Sequence, residues 1–277
     1  MDRRLHRASE RIAHVSLAGQ TTLPLTAGEA AAVAPGLADL LSAPSGARER
    51  QLAHGEAFRV IDRERGHAFG FAEKDGYCGW LPEAALGPPL APTHWVASTG
   101  THLYEGPKVQ HRDLAALPMG ARLAVLGTSG AWAQVAGGWV PMVHLLPLGQ
   151  WLLDPAAVAE GFLGAPYLWG GNSRAGLDCS GLVQMAHLAC GIPCPGDSDL
   201  QEKLGAELTK EEAPRRGDLL FWSGHVAMAL DGTRLIHANG HTMNVAVENI
   251  DDCIARIAIS GGGPVTHRRR MEGATAA

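Results

Sequence analysis

Residues 167–184 read Tyr-Leu-Trp-Gly-Gly-Asn-Ser-Arg-Ala-Gly-Leu-Asp-Cys-Ser-Gly-Leu-Val-Gln, and this stretch constrains the chain more than any other. A glycine-rich approach ends at Asp178. In the apolar run that follows, Leu182, Met185, Ala186 and Ala189 fall at i, i+3, i+4 and i+7, one face of a helix. Asp178 is placed to cap that helix, because its carboxylate accepts from the unpaired amides of the first turn. Cys179 then becomes the first helical residue, where the positive end of the helix dipole favours thiolate over thiol. Most buried cysteines are inert packing groups. The helix-start position, the close-approach glycines and the polar flanks Asp178 and Ser180 mark this one as a candidate nucleophile, which needs a base from elsewhere in the chain.

At 277 residues the chain has room for two or three compact units, and a hydrophobic content of 46% is enough for real cores. A net charge of −5 without a basic excess argues against nucleic acid as a partner. Arg3, Arg4, Arg7, Glu10 and Arg11 occupy the region where a signal peptide needs an apolar stretch. The uncharged run 123–153 is interrupted by Gly, Pro, Gln, Ser and His, so no membrane span is expected either. The expected location is the cytoplasm. The five cysteines, 78, 179, 190, 194 and 253, are odd in number and lack a disulfide-framework spacing, which suits a reducing compartment. Cys190 and Cys194 make half a metal site at most, with no second pair or His-x3-His to complete it; neither metal nor cofactor is expected.

In chain order, residues 1–48 show no clean period and read as an N-terminal extension with one short helix. Residues 49–88 turn strand-like at 57–61, 68–72 and 77–81, with Asp75-Gly76 as a hairpin signal. A Pro-rich linker follows, and residues 93–148 repeat the pattern, with strands at 94–96, 102–104, 122–126, 132–135 and 138–141. Both stretches contain a turn, an aromatic, an apolar residue and a closing proline (Asp75-Gly76-Tyr77-Cys78-Gly79-Trp80-Leu81-Pro82 and Ala136-Gly137-Gly138-Trp139-Val140-Pro141), a weak internal repeat of a small barrel. Residues 150–262 mix helix and strand: helices at 155–162, after the cap Asp154 and Pro155, at the Cys179 stretch and at 197–208. Strands are then expected at 218–222, 225–230, 235–238, 245–247 and 255–260. Residues 263–277, with Arg268, Arg269 and Arg270, read as a mobile tail.

The base must come from 13 histidines. His225 and His237 lie on two strands joined near Asp231-Gly232. A two-residue loop puts them on opposite faces. A three-residue loop, 231–233, pairs Ala227 with His237 and puts both on one face, about 7 Å apart between backbones. The second register is adopted because it lets the pair cooperate; either histidine alone is an ordinary strand residue. In it, His225 takes the thiol proton and later protonates the leaving amine, and His237 holds the imidazole in the useful tautomer. Tyr167 either donates its hydroxyl near the oxyanion or is a buried aromatic.

These segments, with Arg-Arg-Gly-Asp-Leu-Leu-Phe-Trp (215–222), His-Val-Ala-Met (225–228) and Ile-His-Ala (236–238), resemble the NlpC/P60 family of papain-like cysteine peptidases that cut bacterial cell-wall peptides. The resemblance covers about 150–260. It implies Cys179 as nucleophile, His225 as base and His237 as the third polar residue, with Trp169 and Ser180 near the substrate. The upstream stretches resemble the bacterial SH3-like barrels of γ-D-glutamyl-L-diamino-acid endopeptidases. There Leu-Ala-His-Gly-Glu (52–56) and Asp-Gly-Tyr (75–77) match the stretches that hold a substrate's free amine, so the resemblance implies Glu56, Tyr77 and Asp178 as acceptors around one ammonium. Read without it, Glu56 is a solvated charge and Tyr77 barrel core. Asp197-Ser198 is similar to a substrate-side Arg-Asp-Ser segment, with Gly196 where the family carries Arg; both residues are also candidates to cap the helix they start.

The expected architecture is thus multidomain: two small SH3-like β-barrels followed by an α+β papain-like peptidase domain, with the Cys179 helix packed on an antiparallel sheet. The expected activity is hydrolysis of the γ-D-Glu–diamino-acid bond in murein peptides with a free N-terminal L-Ala, in wall recycling. The rivals are a non-catalytic wall-peptide-binding module and a thiol acyltransferase.

Overall fold

The computed structural model describes residues 2–271. The chain divides into two units, residues 1–148 and 149–277. Among the described residues no helix is long and apolar enough to cross a membrane.

The first unit is built from antiparallel strands, apart from one short parallel pair, Ala13–His14 with Leu25–Thr26. Seven of them form one sheet in the order Arg48–Ala53, Leu37–Leu41, Cys78–Pro82, His67–Ala72, Ala57–Glu64, Glu29–Val33 and Leu86–Gly87. Alternation sorts its side chains: Leu40, Leu52, Phe58, Val60 and Leu81 fill one face, and Ile61, Phe69, Phe71 and Cys78 the other. The second face is covered by the N-terminal segment, where the Cys78 amide donates to the Arg4 carbonyl and the Arg7 guanidinium stacks over Phe71. Residues 1–48 are therefore not an irregular extension. Glu29–Val33 and Leu37–Leu41 are sheet strands, which their runs of Ala and Leu hid because those runs fit either period.

Residues 94–147 form a five-stranded sheet, Asp113–Pro118, Gly100–Tyr104, Gly138–Pro141, Trp132–Val135 and Gly127–Ser129 in spatial order. A three-stranded one holds Arg122–Leu123, His94–Val96 and Leu145–Pro147. The repeated motif is visible in space: each proline, 82 and 141, opens one turn of 3-10 helix, Glu83–Ala85 and Met142–His144, followed by a short strand.

The second unit carries the helices α1 (Pro155–Glu160), α2 (Cys179–Ala189), α3 (Ser198–Gln201) and α4 (Ile250–Ile259). Its sheet has strands β1 (Ala206–Glu207), β2 (Leu219–Trp222), β3 (His225–Ala229), β4 (Arg234–Asn239), β5 (Asn244–Asn249) and β6 (His267–Arg270), in the spatial order β1-β6-β2-β3-β4-β5. Every pairing is antiparallel. Asp154 caps α1 from Pro155's N-terminal side, its carboxylate accepting from the Ala156 amide at 2.9 Å. α2 packs against α1 and against β3 and β4.

Three expectations change here. Residues 250–259 are helical, not a strand at 255–260: Asn249 caps the amides of Asp251 and Asp252, and Ile250, Cys253 and Ile257 recur at helical spacing to bury one face. A window starting at Ala255 cut through that period. The helix expected over 197–208 is a single turn. The residue it buries is Gln201, whose amide donates to the carbonyls of Ser180 and Pro195, both at 2.9 Å, and Gly205 (φ +61°) turns the chain away. The expected mobile tail instead forms β6, because Arg270 finds a partner. Its guanidinium donates to both oxygens of the buried Asp218 at 2.8 and 2.6 Å. The rest of that tail, 272–277, lies outside the described residues.

Candidate active site

Asp178 stands at the N-cap of α2, and Cys179 is the first helical residue. The cap is more heavily bonded than a surface one. One carboxylate oxygen accepts from the Gly181 amide at 2.6 Å and the Ser180 hydroxyl at 3.0 Å, and the other accepts from the Gly170 amide at 2.8 Å. Asp178 thereby ties the helix start to the glycine-rich approach. A side chain at Gly181 would put its Cβ 2.4 Å from the Gly171 carbonyl oxygen, so only glycine allows that approach. Cys179 is 7% exposed. The Tyr167 hydroxyl is pushed up to about 12 by burial first, and then by the charges of Cys179 and Asp178, so it stays a proton donor across the working pH range. Ser180 is buried against its cap, whereas Trp169 is 67% exposed.

The two histidines sit where the adopted register puts them. A two-residue turn, Ser223-Gly224, pairs Trp222 with His225 and makes His225 the first residue of β3. The next loop has three residues: Leu230 donates to the Arg234 carbonyl, and Met228 faces Ile236. Asp231 stiffens it, its carboxylate accepting from the amides of Thr233 and Arg234, both at 2.8 Å. His225 and His237 therefore share one face of the sheet, and His225 Nε2 lies 2.8 Å from His237 Nδ1. Trp222 packs on His225, with ring centroids 5.6 Å apart. The same face carries Ala227, Ala229 and Leu235, covered by Ile250, Cys253 and Ile257 of α4.

Beyond His237 the structure adds two residues that the sequence reading did not single out. His237 Nε2 lies 2.8 Å from Glu248 Oε1, and the Arg256 guanidinium donates to the two Glu248 oxygens at 2.7 and 3.1 Å. Glu248 lies just past the strand read at 245–247, and Arg256 in the segment misread as strand. The one available signal was the hairpin itself, which pairs Glu248 with Leu235, two residues before His237. Burial pulls His225 down to about 3, helped by His237 and Arg256 and opposed by Glu248. His237 is lowered in the same way by burial, with Glu248 opposing. Both imidazoles are therefore neutral at pH 7.

Among the described residues, His237, Glu248 and Cys253 bring potential metal-binding atoms within 4.8 Å of one another. Arg256 bonds Glu248 and reaches Cys253 Sγ at 3.6 Å, so a guanidinium already supplies the positive charge there.

Asp197 is the N-cap residue of α3 without a side-chain cap bond, and Ser198 opens that helix, half-buried. Tyr77, in the first unit, is 3% exposed within the Leu40–Leu81 core. Glu56, also there, is bonded through both carboxylate oxygens by the Lys74 ammonium, at 2.7 and 2.9 Å.

Residues 164–256 match the model of the NlpC/P60 family, and residues 40–86 match that of the bacterial dipeptidyl-peptidase Sh3 domain. The chain thus carries an NlpC/P60 domain, with a dipeptidyl-peptidase Sh3 domain ahead of it. It is 30% identical over 201 residues to a γ-D-glutamyl-L-lysine dipeptidyl-peptidase of Bacillus cereus, covering 60% of this chain and 57% of that one. It is 37% identical over 94 residues to dipeptidyl-peptidase 6 of Lysinibacillus sphaericus, covering 34% of this chain and 35% of that one. The chain thus spans from about a third to somewhat over half the length of these relatives. The crystal structure of an NlpC/P60 family protein from Bacillus cereus shares the fold, with a TM-score of 0.73, 22% identity, and coverage of 87% of this chain and 99% of that one.

Proposed function

We propose that the protein is a cysteine endopeptidase that hydrolyses the γ-D-Glu–diamino-acid bond of short murein peptides with a free N-terminal L-Ala. The observation that carries the reading is the 2.8 Å bond between two buried, neutral imidazoles, His225 and His237, on the strands against which the Cys179 helix packs. Cys179 gives its proton to His225 and attacks the γ-carbonyl. The tetrahedral oxyanion is met by the Cys179 amide at the helix start and by the Tyr167 hydroxyl. Imidazolium His225 then protonates the leaving α-amine of the diamino acid, and water resolves the thioester through the same base.

Substrate choice draws support from the relatives, one of which is named for the γ-D-glutamyl-L-lysine bond, and from Glu56, whose carboxylate already binds an ammonium group, that of Lys74. In the first unit, Glu56 and Tyr77 are the proposed acceptors for the substrate amine; in the second, Asp178, Trp169, Ser180, Asp197 and Ser198 are the proposed substrate-binding residues. We read residues 93–148 as a second SH3-like barrel on the recurring strand, 3-10 turn and strand. Five free, buried thiols suit a reducing compartment, where wall fragments are recycled.

The test is mass spectrometry of products from L-Ala-γ-D-Glu-L-Lys and its diaminopimelate counterpart, with added amine acceptors to separate hydrolysis from acyl transfer. L-Ala-D-Glu plus the free diamino acid is the expected outcome, lost in Cys179→Ala. Products unchanged in that variant would remove the cysteine mechanism.

A further inference from the structure

The ring-to-ring bond between His225 and His237 is ambiguous as it stands, because either imidazole can be its donor. The direction decides whether the site works. If His237 Nδ1–H donates to His225 Nε2, then His225 carries its one proton on Nδ1 and has no free lone pair. If His225 Nε2–H donates to His237 Nδ1, the lone pair of His225 stands on Nδ1, ready to take a proton.

Glu248 resolves the ambiguity. Its Oε1 is 2.8 Å from His237 Nε2, and an ionised carboxylate only accepts. Burial raises the Glu248 carboxyl, but the bonds from His237 and Arg256 outweigh it and hold the group below the usual carboxylate range. His237 Nε2 must then be the N–H. A neutral imidazole has only one, so His237 Nδ1 is bare and must accept from His225 Nε2. Arg256 keeps the carboxylate in place through two bonds, at 2.7 and 3.1 Å. Titratable groups near the pair include His241, which acts on His237, and Cys253, beside Arg256.

We propose that Glu248, clamped by Arg256, is a positioning residue that fixes the protons of both imidazoles and so selects Nδ1 of His225 as the base nitrogen. This rests on the reading of His225 as the base. When the Cys179 S–H bond breaks, the proton binds His225 Nδ1, the Nε2–H stays on His225, and the bonds to His237 and Glu248 keep their direction. The negative carboxylate at the far end of the relay then faces a newly positive imidazolium.

The test uses the full chain with 15N-labelled histidine, and long-range 1H–15N correlation reads the tautomers at pH 7. The wild type should show Nε2–H for both His225 and His237. In Glu248→Gln, Arg256 has only donors and keeps the amide oxygen, so the NH2 turns to His237. His237 should then become Nδ1–H, and His225 should follow to Nδ1–H. Turnover should fall at least tenfold, toward the roughly 10⁴-fold loss of a serine triad held in the wrong tautomer, with KM nearly unchanged. Glu248→Asp should keep the wild-type tautomers and recover part of the rate. A wild type with His225 protonated on Nδ1, or tautomers unaltered in Glu248→Gln, would overturn the proposal, as would a loss of rate that simply tracks loss of fold. Because the spectra need no substrate, they decide this point even if the murein peptides prove not to be cleaved.

Discussion

Lys74 Nζ lies 2.7 and 2.9 Å from the two carboxylate oxygens of Glu56, with the side chains 18% and 12% exposed. The group proposed to hold a substrate ammonium therefore already holds one. A free-amine substrate must either displace Lys74 or share the carboxylate with it. Lys74→Met should cost about 1–3 kcal/mol of stability, between the values for exposed and buried pairs, because it strands Glu56. It should also lower KM severalfold for a free-amine murein tripeptide, and leave that for the N-acetylated peptide unchanged. KM values equal to wild type for both peptides would mean that Glu56 takes no part in amine recognition.

Asp178 satisfies three buried donors at once, so the start of α2 depends on it. Asp178→Ala should destabilise the chain by about 2–4 kcal/mol, combining a lost helix cap with stranded amides. Urea melts measure this. Gly181→Ala should cost about 1–3 kcal/mol through the clash with Gly171. A neutral Asp178→Ala would show that the glycine-rich approach is held by something else.

Mild acid should destabilise the protein through its histidines. Burial lowers His187, His225 and His237, and His14 goes the same way. Each takes up its proton at a lower pH when folded than the value near 6.5 it has when unfolded, so the unfolded state binds more protons as pH falls. Stability is therefore full above about pH 7 and declines from there toward the lowered folded values. Tm measured from pH 7.5 to 5 should fall steadily, and replacing the buried His187 by Leu should flatten part of the slope. A Tm flat or rising over that interval would contradict the burial of these rings.

The parts of the fold legible in sequence were those written locally. Asp178 before an i, i+3, i+4, i+7 run announced a capped helix, and Asp154-Pro155 announced α1. The strands around Phe58, Phe69 and Trp132 followed from alternation and turn residues. The His225–His237 register had two local solutions, and an assumed cooperation of the two histidines chose between them; the three-residue loop, 231–233, is the one found. What escaped needed distant partners. Arg270 becomes strand because Asp218, 52 residues earlier in the chain, awaits it. Gln201 ends up buried because it meets the carbonyls of Ser180 and Pro195. Glu248, just past the strand read at 245–247, carried no local sign of its role; α4 brings Arg256 alongside it. Glu56 gave no sign of Lys74, because only the folded sheet brings residues 18 apart into contact.

Cys179 and His225 are proposed to work as a pair, and the rate of Cys179 alkylation by iodoacetamide at pH 7 tests this most directly. Burial pushes Cys78 up to about 12 and Cys190 and Cys253 up to about 11, which makes them poor competitors. Peptide mapping should find Cys179 modified first, and His225→Ala should slow that modification at least tenfold without slowing the other thiols. Modification of Cys179 at the same rate with and without His225, in a protein that remains folded, would contradict the account.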